Sequence, residues 1–426
     1  MEPPKAPSHV LIVGGSLSGL FTAVALLQRL PATTRVTILE RSPSPLLHDQ
    51  GAGIVAGGPV LEWCERFAGK KQDEMSVESR ERLYLDKGGK VIDREGTRQQ
   101  MTSWDLLYGL GREVLDGNGT GSERFKYAFG REVTGLSEEQ GLVKIMWKST
   151  MPEEGGKEGV EEGDFLVAAD GPSSRLRSML LVDESASRTY AGYVAFRGTV
   201  IETELSQDAR AVFVEKFTFF HGDGIQILAY TIPGQDGTLE VGKRRVNWVW
   251  YWNVEDESQE YGDIMTDSDG GKHRFTLPTG GKMQQHVWER QKDRAKKNLP
   301  PQFAELVTKT EKPFVQAITD VKPPSKGTEV GRLLGGRGMI LGDALAGFRP
   351  HTAASTAQAA FDVLKLDEVF AGDLGWAEYE RQVLDFAHSW QARGVMLGTR
   401  SQFGHHPLAN GSDESVSRKQ LHMREK

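Results

Sequence analysis

A chain of 426 residues exceeds what one simple hydrophobic core supports, so two domains are expected. A hydrophobic content of 38% with 26% charged residues describes a soluble globular protein, and a net charge of −7 supplies no basic surface, which argues against nucleic acid as a partner. The single cysteine, Cys64, rules out disulfides within the chain and points to a reducing compartment. Its thiol falls in a helical stretch, 62–67, and is read as a packed side chain, not a nucleophile. The first eight residues are polar and proline-rich, unlike a signal peptide, and no apolar run reaches membrane-spanning length. A cytoplasmic protein without a membrane partner is expected.

In chain order, Val10-Leu11-Ile12-Val13 is an apolar, β-branched run of the kind buried on both faces of a parallel sheet. It enters Gly14-Gly15-Ser16-Leu17-Ser18-Gly19, followed by a helical segment at 20–30 and a second strand at 35–39 that ends on Glu40. Strand, turn, helix, strand and acid are the order of a dinucleotide-binding unit. Backbone N–H groups around Gly14, Gly15, Ser16 and Leu17 meet a pyrophosphate, Gly19 lets helix and strand touch, and Glu40 takes a ribose hydroxyl with Arg41 beside it. Ser16 stands where the fingerprint has its middle glycine, so an ordinary turn with chance glycines is the alternative. A dinucleotide unit opening a much longer chain more often holds a tightly bound FAD than an exchanging NAD.

The segment 41–50 reads as a loop with Pro43 and Pro45, and Gly51-Ala52-Gly53-Ile54-Val55 brings the backbone back towards the nucleotide. A helix is expected at 59–67, a hairpin at 82–93 turning on Lys87-Gly88-Gly89, and a helix at 102–115. Paired strands are expected at 127–136 and 141–148. The six acids and four glycines of 152–164 describe a solvated hairpin tip. A strand at 164–167 then meets Asp170-Gly171-Pro172-Ser173-Ser174-Arg175-Leu176-Arg177. Stretches at 193–201, 211–220, 225–232 and 245–252 are rich in β-branched and aromatic residues and predict an open sheet. In the last of these, Trp248, Trp250 and Trp252 share one face and Tyr251 the other, either as sheet core or with one member lining a substrate cavity. The polar, glycine-rich 267–282 reads as a mobile loop. Helices follow at 286–298 and 302–310, a buried strand at 339–341 ending in Gly342-Asp343, a small-residue helix reaching 366, and a last helix at 377–397. Beyond Ser401 a polar, disordered tail is expected. Its His405-His406 pair has no acid or thiol at ligand spacing, so no metal site is read there.

Three of these motifs in this order resemble the class A FAD-dependent aromatic hydroxylases, typified by p-hydroxybenzoate hydroxylase. They are the glycine turn with Glu40, the run Asp170–Arg177 as D-G-x-x-S-x-x-R, and Gly342-Asp343 with Pro350, and the likeness spans about residues 9–370. Finer stretches are similar to the 2,6-dihydroxypyridine 3-hydroxylase branch: Tyr190-Ala191-Gly192-Tyr193-Val194-Ala195-Phe196-Arg197-Gly198, Arg349-Pro350-His351-Thr352-Ala353-Ala354, residues 245–252, and Pro313-Phe314-Val315-Gln316.

The resemblance implies an α/β fold, with a FAD-binding Rossmann-like domain of the glutathione-reductase type and a second, β-rich substrate domain. The FAD domain would take 1–189 and return at 301–400, the substrate domain would take 190–300, and 401–426 would be tail. It also implies a monooxygenase that uses NADPH or NADH and molecular oxygen to hydroxylate a small electron-rich aromatic or N-heteroaromatic ring through a flavin hydroperoxide, and it allows a homodimer. Asp343 would accept hydrogen bonds from the ribityl hydroxyls. A helix starting near Thr352 would aim N–H groups at the pyrimidine side of the flavin, with Pro350, Ala353 and Ala354 permitting close approach. Ser355 and Ala354 depart from the family's glycine-rich run at this point. Asp170 would sit near FAD, Arg177 would assist FAD or the nicotinamide cofactor, and Arg112 is a further FAD contact. The alternative for the Asp170 motif is a strand–turn–helix with capping serines. His351 would orient a hydroxylated substrate or relay its proton, or else pack behind the flavin. Two other readings stay open: a flavin-dependent halogenase, whose tryptophan motif is only partly matched, and a non-catalytic flavin-binding protein.

Overall fold

The computed structural model describes residues 4–44, 53–117, 124–181, 187–277 and 280–404. The apolar run near the N-terminus becomes the strand His9–Val13, central in a five-stranded parallel sheet. The order across that sheet is Gly338–Ile340, Phe165–Ala168, His9–Val13, Arg35–Leu39 and Phe125–Ala128. Val10, Leu11 and Ile12 are each 0% exposed, and burying such side chains contributes about 1.5–3 kcal/mol apiece. The first helix, Leu17–Arg29, begins three residues before the position that hydrophobic periodicity suggests, because the turn ahead of it is tight. Gly14 has φ +102°, and a Cβ there would lie 2.3 Å from the Ala169 carbonyl oxygen. A Cβ on Gly19 would lie 1.9 Å from the Gly14 carbonyl oxygen, so helix and turn pack backbone to backbone.

The stretch 127–136 is two strands, not one. Phe125–Ala128 joins the parallel sheet, Gly130 turns the chain at φ +65°, and Arg131–Glu139 pairs with Leu142–Ser149. The acidic stretch after Pro152 is likewise more than a tip. Pro152–Glu154 makes a short turn, and Glu158–Gly163 completes a three-stranded antiparallel sheet. Its Glu161 and Glu162 pair with Lys126 and Lys144 on neighbouring strands, so the acids belong to a sheet and not to a loop.

A seven-stranded sheet follows the order Phe314–Val321, Arg188–Ile201, Arg245–Asn253, Ile225–Ile232, Phe217–Gly222, Arg82–Leu85 and Val91–Glu95. It therefore recruits the 82–95 hairpin and the 314–321 strand in addition to the central segment. Residues 211–213, expected as strand, end a helix instead. Ser206 Oγ accepts the Ala209 N–H and starts Gln207–Phe213 as a capped helix. This helix, with Gln285–Asn298 and Pro301–Lys309, covers one face of the sheet and buries Phe196, Phe213, Trp248, Trp250 and Phe303. The other face carries Tyr193, Leu228, Tyr230, Val249 and Tyr251. The segment expected as a mobile loop after Asp267 is held down. Asp267 Oδ1 accepts N–H groups from Asp269 and Gly271 at 2.9 and 2.7 Å, Oδ2 meets His273 at 2.8 Å, and Thr276 bridges to Gln316.

The chain closes with the helices Ser355–Ala371 and Trp376–Phe403. Asp367 on the former takes both Nε and Nη2 of Arg29, at 2.6 and 2.9 Å, and an ion pair from Arg66, joining three helices. Cys64 is buried and burial pushes its thiol up to about 12, consistent with a packed side chain. Among the described residues no helix is long and apolar enough to cross a membrane, and no acid, histidine or cysteine cluster could hold a metal. His405 and His406 lie outside the described residues.

At the start of the inner strand Arg245–Asn253, buried Arg244 donates to Glu202 at 3.1 and 3.0 Å and to Glu215 at 3.1 Å. Removing one partner of such a pair leaves an uncompensated charge. Glu202→Ala is expected to destabilise the protein by about 3 kcal/mol, the low end for buried pairs because Glu215 remains. The shift in urea midpoint, followed by tryptophan emission, checks this.

Candidate active site

Two cavities meet at Asp343. The first, of about 530 Å³, runs from Gly14, Ser16 and Leu17 past Glu40, Arg41 and Asp170 to Asp343 and Ser355. Glu40 is buried and fixed by the turn itself: its Oε2 accepts the Gly15 N–H at 2.8 Å and its Oε1 the Ser42 N–H at 2.8 Å. Tyr127 Oη donates to the Gly15 carbonyl at 2.9 Å and holds the turn from the other side. Three cations, Arg41, Arg131 and Arg175, line this cavity, the last two unmarked by any motif role at the level of sequence.

Asp170 lines the cavity and also caps a helix. It accepts Ser174 Oγ at 2.5 Å and the N–H groups of Arg175 and Leu176 at 2.8 and 3.2 Å. Arg177 lines neither cavity. It is 1% exposed and donates to the carbonyls of Ala344 at 2.8 Å and Pro172 at 3.2 Å, tying the Asp170 loop to the Asp343 turn. Arg112 also lies outside both cavities. It pairs with Asp116 at 3.1 Å and sits 4.6 Å over the Tyr127 ring.

Asp343 is half-buried, its shielded Oδ1 has no partner, and desolvation raises its carboxyl to about 6. The peptide just ahead of it is clamped by the Ser355–Ala371 helix: Asp362 Oδ2 accepts the Gly342 N–H at 2.9 Å and Gln358 Nε2 donates to the Gly342 carbonyl at 2.6 Å. Burial pushes the Asp362 carboxyl up to about 8, so it is mostly neutral at pH 7. A polar dinucleotide suits these features. The turn admits no side chain, the guanidiniums of Arg41 and Arg175 can meet phosphates while Arg131 is paired with Glu154 at 2.8 Å, and Asp343 presents an acceptor to a hydroxyl donor.

The second cavity, of about 470 Å³, shares Pro172, Asp343, Ser355 and Thr356 with the first. Its walls are the free face of the seven-stranded sheet, including Tyr230, Val249 and Tyr251, the 350–354 turn, and the helix Trp376–Phe403. Trp248 and Trp250 lie on the opposite face in the core, so of that aromatic run it is Tyr251 that reaches the cavity. Ile54 and Val55 line this second cavity too. The strand Gly53–Val55 pairs with Gln99–Ser103 and does not return to the nucleotide side.

The helix expected near Thr352 starts at Ser355. Pro350–Thr352 is a single short turn, and Ala353 at φ +52° reverses the chain before the helix can begin. Pro350, Ala353 and Ala354 line the second cavity, as does His351. The His351 ring stacks on Tyr251 with centroids 4.1 Å apart. Its Nε2 meets Tyr193 Oη at 3.0 Å and its Nδ1 meets Gln226 Oε1 at 2.9 Å. Gln226 Oε1 also accepts Ser401 Oγ at 2.7 Å, which assigns it as acceptor and places the imidazole proton on Nδ1. Burial, with Arg349 and Arg197 adding repulsion, holds this imidazole down at about 3. Gly398 allows the last helix this close: a Cβ there would lie 2.3 Å from Tyr193 Oη and 3.0 Å from His351 Cδ2.

Comparison with known proteins gives the same picture. Residues 190–320 match the family described as FAD binding domain-like. The chain is 31% identical to the 2,6-dihydroxypyridine 3-monooxygenase of Paenarthrobacter nicotinovorans over 404 residues, 93% of this chain and 92% of that one. It is 26% identical to the FAD-dependent urate hydroxylase of Klebsiella oxytoca, covering 53% of this chain and 55% of that one. Among solved structures, 2,6-dihydroxypyridine-3-hydroxylase from Arthrobacter nicotinovorans superposes with a TM-score of 0.80 at 28% identity, covering 97% and 96% of the two chains. Klebsiella pneumoniae HpxO, solved with FAD and uric acid, gives 0.69 at 21% identity, covering 98% and 93%, and shares the fold. The chain belongs to the family of FAD-dependent monooxygenases that includes the 2,6-dihydroxypyridine 3-monooxygenase.

Proposed function

We propose that this monooxygenase hydroxylates a small, electron-rich aromatic or N-heteroaromatic ring, using NADPH or NADH as reductant. The observation that carries the reading is the shared wall of Pro172, Asp343, Ser355 and Thr356, which opens on one side to a dinucleotide-shaped cavity and on the other to an aromatic one. The 2,6-dihydroxypyridine 3-monooxygenase, similar over almost the whole chain, supports a hydroxypyridine-like ring. Halogenation and a non-catalytic role find no support in these relatives.

In this reading the backbone of Gly14, Gly15, Ser16 and Leu17 would receive the pyrophosphate of FAD, Arg41 and Arg175 would balance its charge, and Glu40 would accept a ribose hydroxyl. Asp170 contributes chiefly by fixing the loop that flanks this cavity. Asp343 accepts a ribityl hydroxyl through its free oxygen. FAD supplies the reduction of oxygen and the transfer of one oxygen atom to the ring. The protein positions the ring, excludes water and keeps the wall around it rigid. Neutral His351, with both ring nitrogens engaged, holds Tyr193 and Tyr251 in place as a positioning residue. Tyr251 offers its face to the substrate. In this reading 1–189 with 301–400 serve FAD and 190–300 the substrate, and the strands at 82–95 and 314–321 join the substrate-side sheet.

Asp343→Ala is expected to weaken FAD binding by about 1.5–3 kcal/mol, the scale of a hydrogen bond to a charged group. A hydroxyl donates to the ionised carboxylate, so FAD lowers the carboxyl from its free-protein value of about 6. Affinity is therefore full well above that value and falls as pH drops through it. Titration of apo-protein with FAD across pH checks both, and Asp343→Asn should flatten the profile.

Turnover supplies a second check. NAD(P)H oxidation is expected to be slow alone and strongly accelerated by the right aromatic, with one oxygen added to it. His351→Ala should lower product formed per NAD(P)H consumed more than it lowers FAD affinity. Because the imidazole stays neutral above pH 4, wild type and variant should share the same pH dependence through the neutral range.

A further inference from the structure

The second cavity is lined by five arginines, Arg82, Arg188, Arg197, Arg393 and Arg400, and by one carboxylate, Asp343. In a chain of net charge −7 this is a local inversion of sign. Three of the five are engaged within the protein. Arg82 donates to Gln99 at 2.9 Å and lies 5.7 Å over Phe217. Arg188 donates to Thr319 at 2.8 Å and Ser173 at 2.7 Å and lies 4.1 Å over Phe275. Arg393 lies 5.8 Å from the Trp390 ring and has a further partner.

Arg197 and Arg400 differ. The Nε of each is buried without a partner, and among the described residues no carboxylate pairs with either guanidinium. A buried donor left unmade is costly, and two of them in one cavity mark a place that a ligand completes. They arrive from different elements. Arg197 projects from the central strand Arg188–Ile201, on the face opposite the buried Phe196, and its charge acts on Tyr230, Tyr251 and His351. Arg400 projects from the helix Trp376–Phe403, on the cavity face it shares with Arg393 and Leu397. Neither lines the dinucleotide cavity, where Arg41 and Arg175 are available to the phosphates of FAD.

We propose that the substrate is bound as an aromatic oxyanion, its ionised ring substituent held between Arg197 of the sheet and Arg400 of the last helix. This rests on the hydroxylase reading above and adds to it the charge of the substrate and the two residues that select for it. The planar guanidinium fork matches a carboxylate or ring-oxygen anion and rejects a neutral isostere, which leaves both donors unpaired.

The test uses FAD-loaded enzyme, titrated without NAD(P)H and followed by the flavin absorbance change, with 6-hydroxynicotinate and its carboxamide as probes. In the wild type the acid should bind at least about tenfold more tightly than the amide, and Arg197→Met and Arg400→Met should each weaken the acid by about 10- to 100-fold. Both variants should leave the amide and the FAD content little changed, and Arg400→Lys should recover part of the loss. Equal binding of acid and amide by the wild type overturns this proposal alone. A raised KM for NAD(P)H in the Met variants, with acid binding intact, overturns it as well, by assigning the two arginines to the phosphates of the reductant. If neither probe nor any phenol or hydroxypyridine perturbs the flavin or stimulates NAD(P)H oxidation, the hydroxylase reading falls and this proposal with it.

Discussion

Val13 stands beside Ala168, and Ala168 beside Ile340, in three adjacent parallel strands. That register is the constraint on which both cavities depend. It brings the ends of three strands, far apart in the chain, into one row, so that Gly14, Asp170 and Asp343 emerge from neighbouring turns. Ligands in open parallel sheets bind beyond the carboxyl ends of the strands for this reason. The register is kept by strands whose side chains are buried on both faces. It is sharpened by backbone contacts that exclude a Cβ, between Gly14 and Ala169 and between Gly19 and Gly14. Arg177 adds a cross-tie between two of the turns through the carbonyls of Pro172 and Ala344. Its guanidinium is consumed in holding the site together, which is why it does not reach the cofactor cavity.

The parts of this arrangement that were legible in the sequence are those encoded by local pattern. A β-branched run, a glycine turn and an amphipathic segment specify strand, turn and helix from short-range physics, and Glu40 and Asp343 follow because each ends a strand. The parts that were not legible depend on packing between distant segments. Nothing local to Asp362 or Gln358 marks them as clamps on Gly342, since both read as polar interruptions of a helix. Arg112 and Arg131 are alike in pairing with an acid and stacking on a ring, and only the tertiary fold places Arg131 and not Arg112 at the cavity wall. Gln207–Phe213 was obscured because its Phe and Val content suits a strand, while its start was set by one serine cap. The start of the helix at Ser355 was set by the reversal at Ala353, which the sequence hides because alanine rarely takes a positive φ.

Two carboxyls near one turn show how environment divides roles between like groups. Asp343 and Asp362 are both desolvated and Asp343 further raises the cost of ionising Asp362, but only Asp343 has Ser355 and the cations Arg188 and Arg177 to oppose that cost. Asp362 is left mostly protonated and committed to one backbone N–H. Asp343 remains within reach of ionisation, with an oxygen free for a ligand. A charged Asp362 would oppose ionisation of Asp343, and burial that keeps Asp362 neutral removes that repulsion.

The last helix links substrate side to cofactor side. Arg349 donates to Asp320 at 2.9 and 2.6 Å and to Thr399 on that helix at 3.3 Å, and Gly394 and Gly398 let the helix lie directly against Arg349, Tyr193 and His351. His351 belongs to the turn that ends at Ala353 and Ala354, and Ser355 follows at the wall common to both cavities. A displacement of the helix is therefore felt in sequence by Arg349, by the 350–354 turn and by the groups beside Asp343. The helix that presents Arg400 to the second cavity is packed against the turn that lines the same cavity and leads into Ser355, where the first cavity begins. The two cavities therefore share a wall whose position the last helix helps to set.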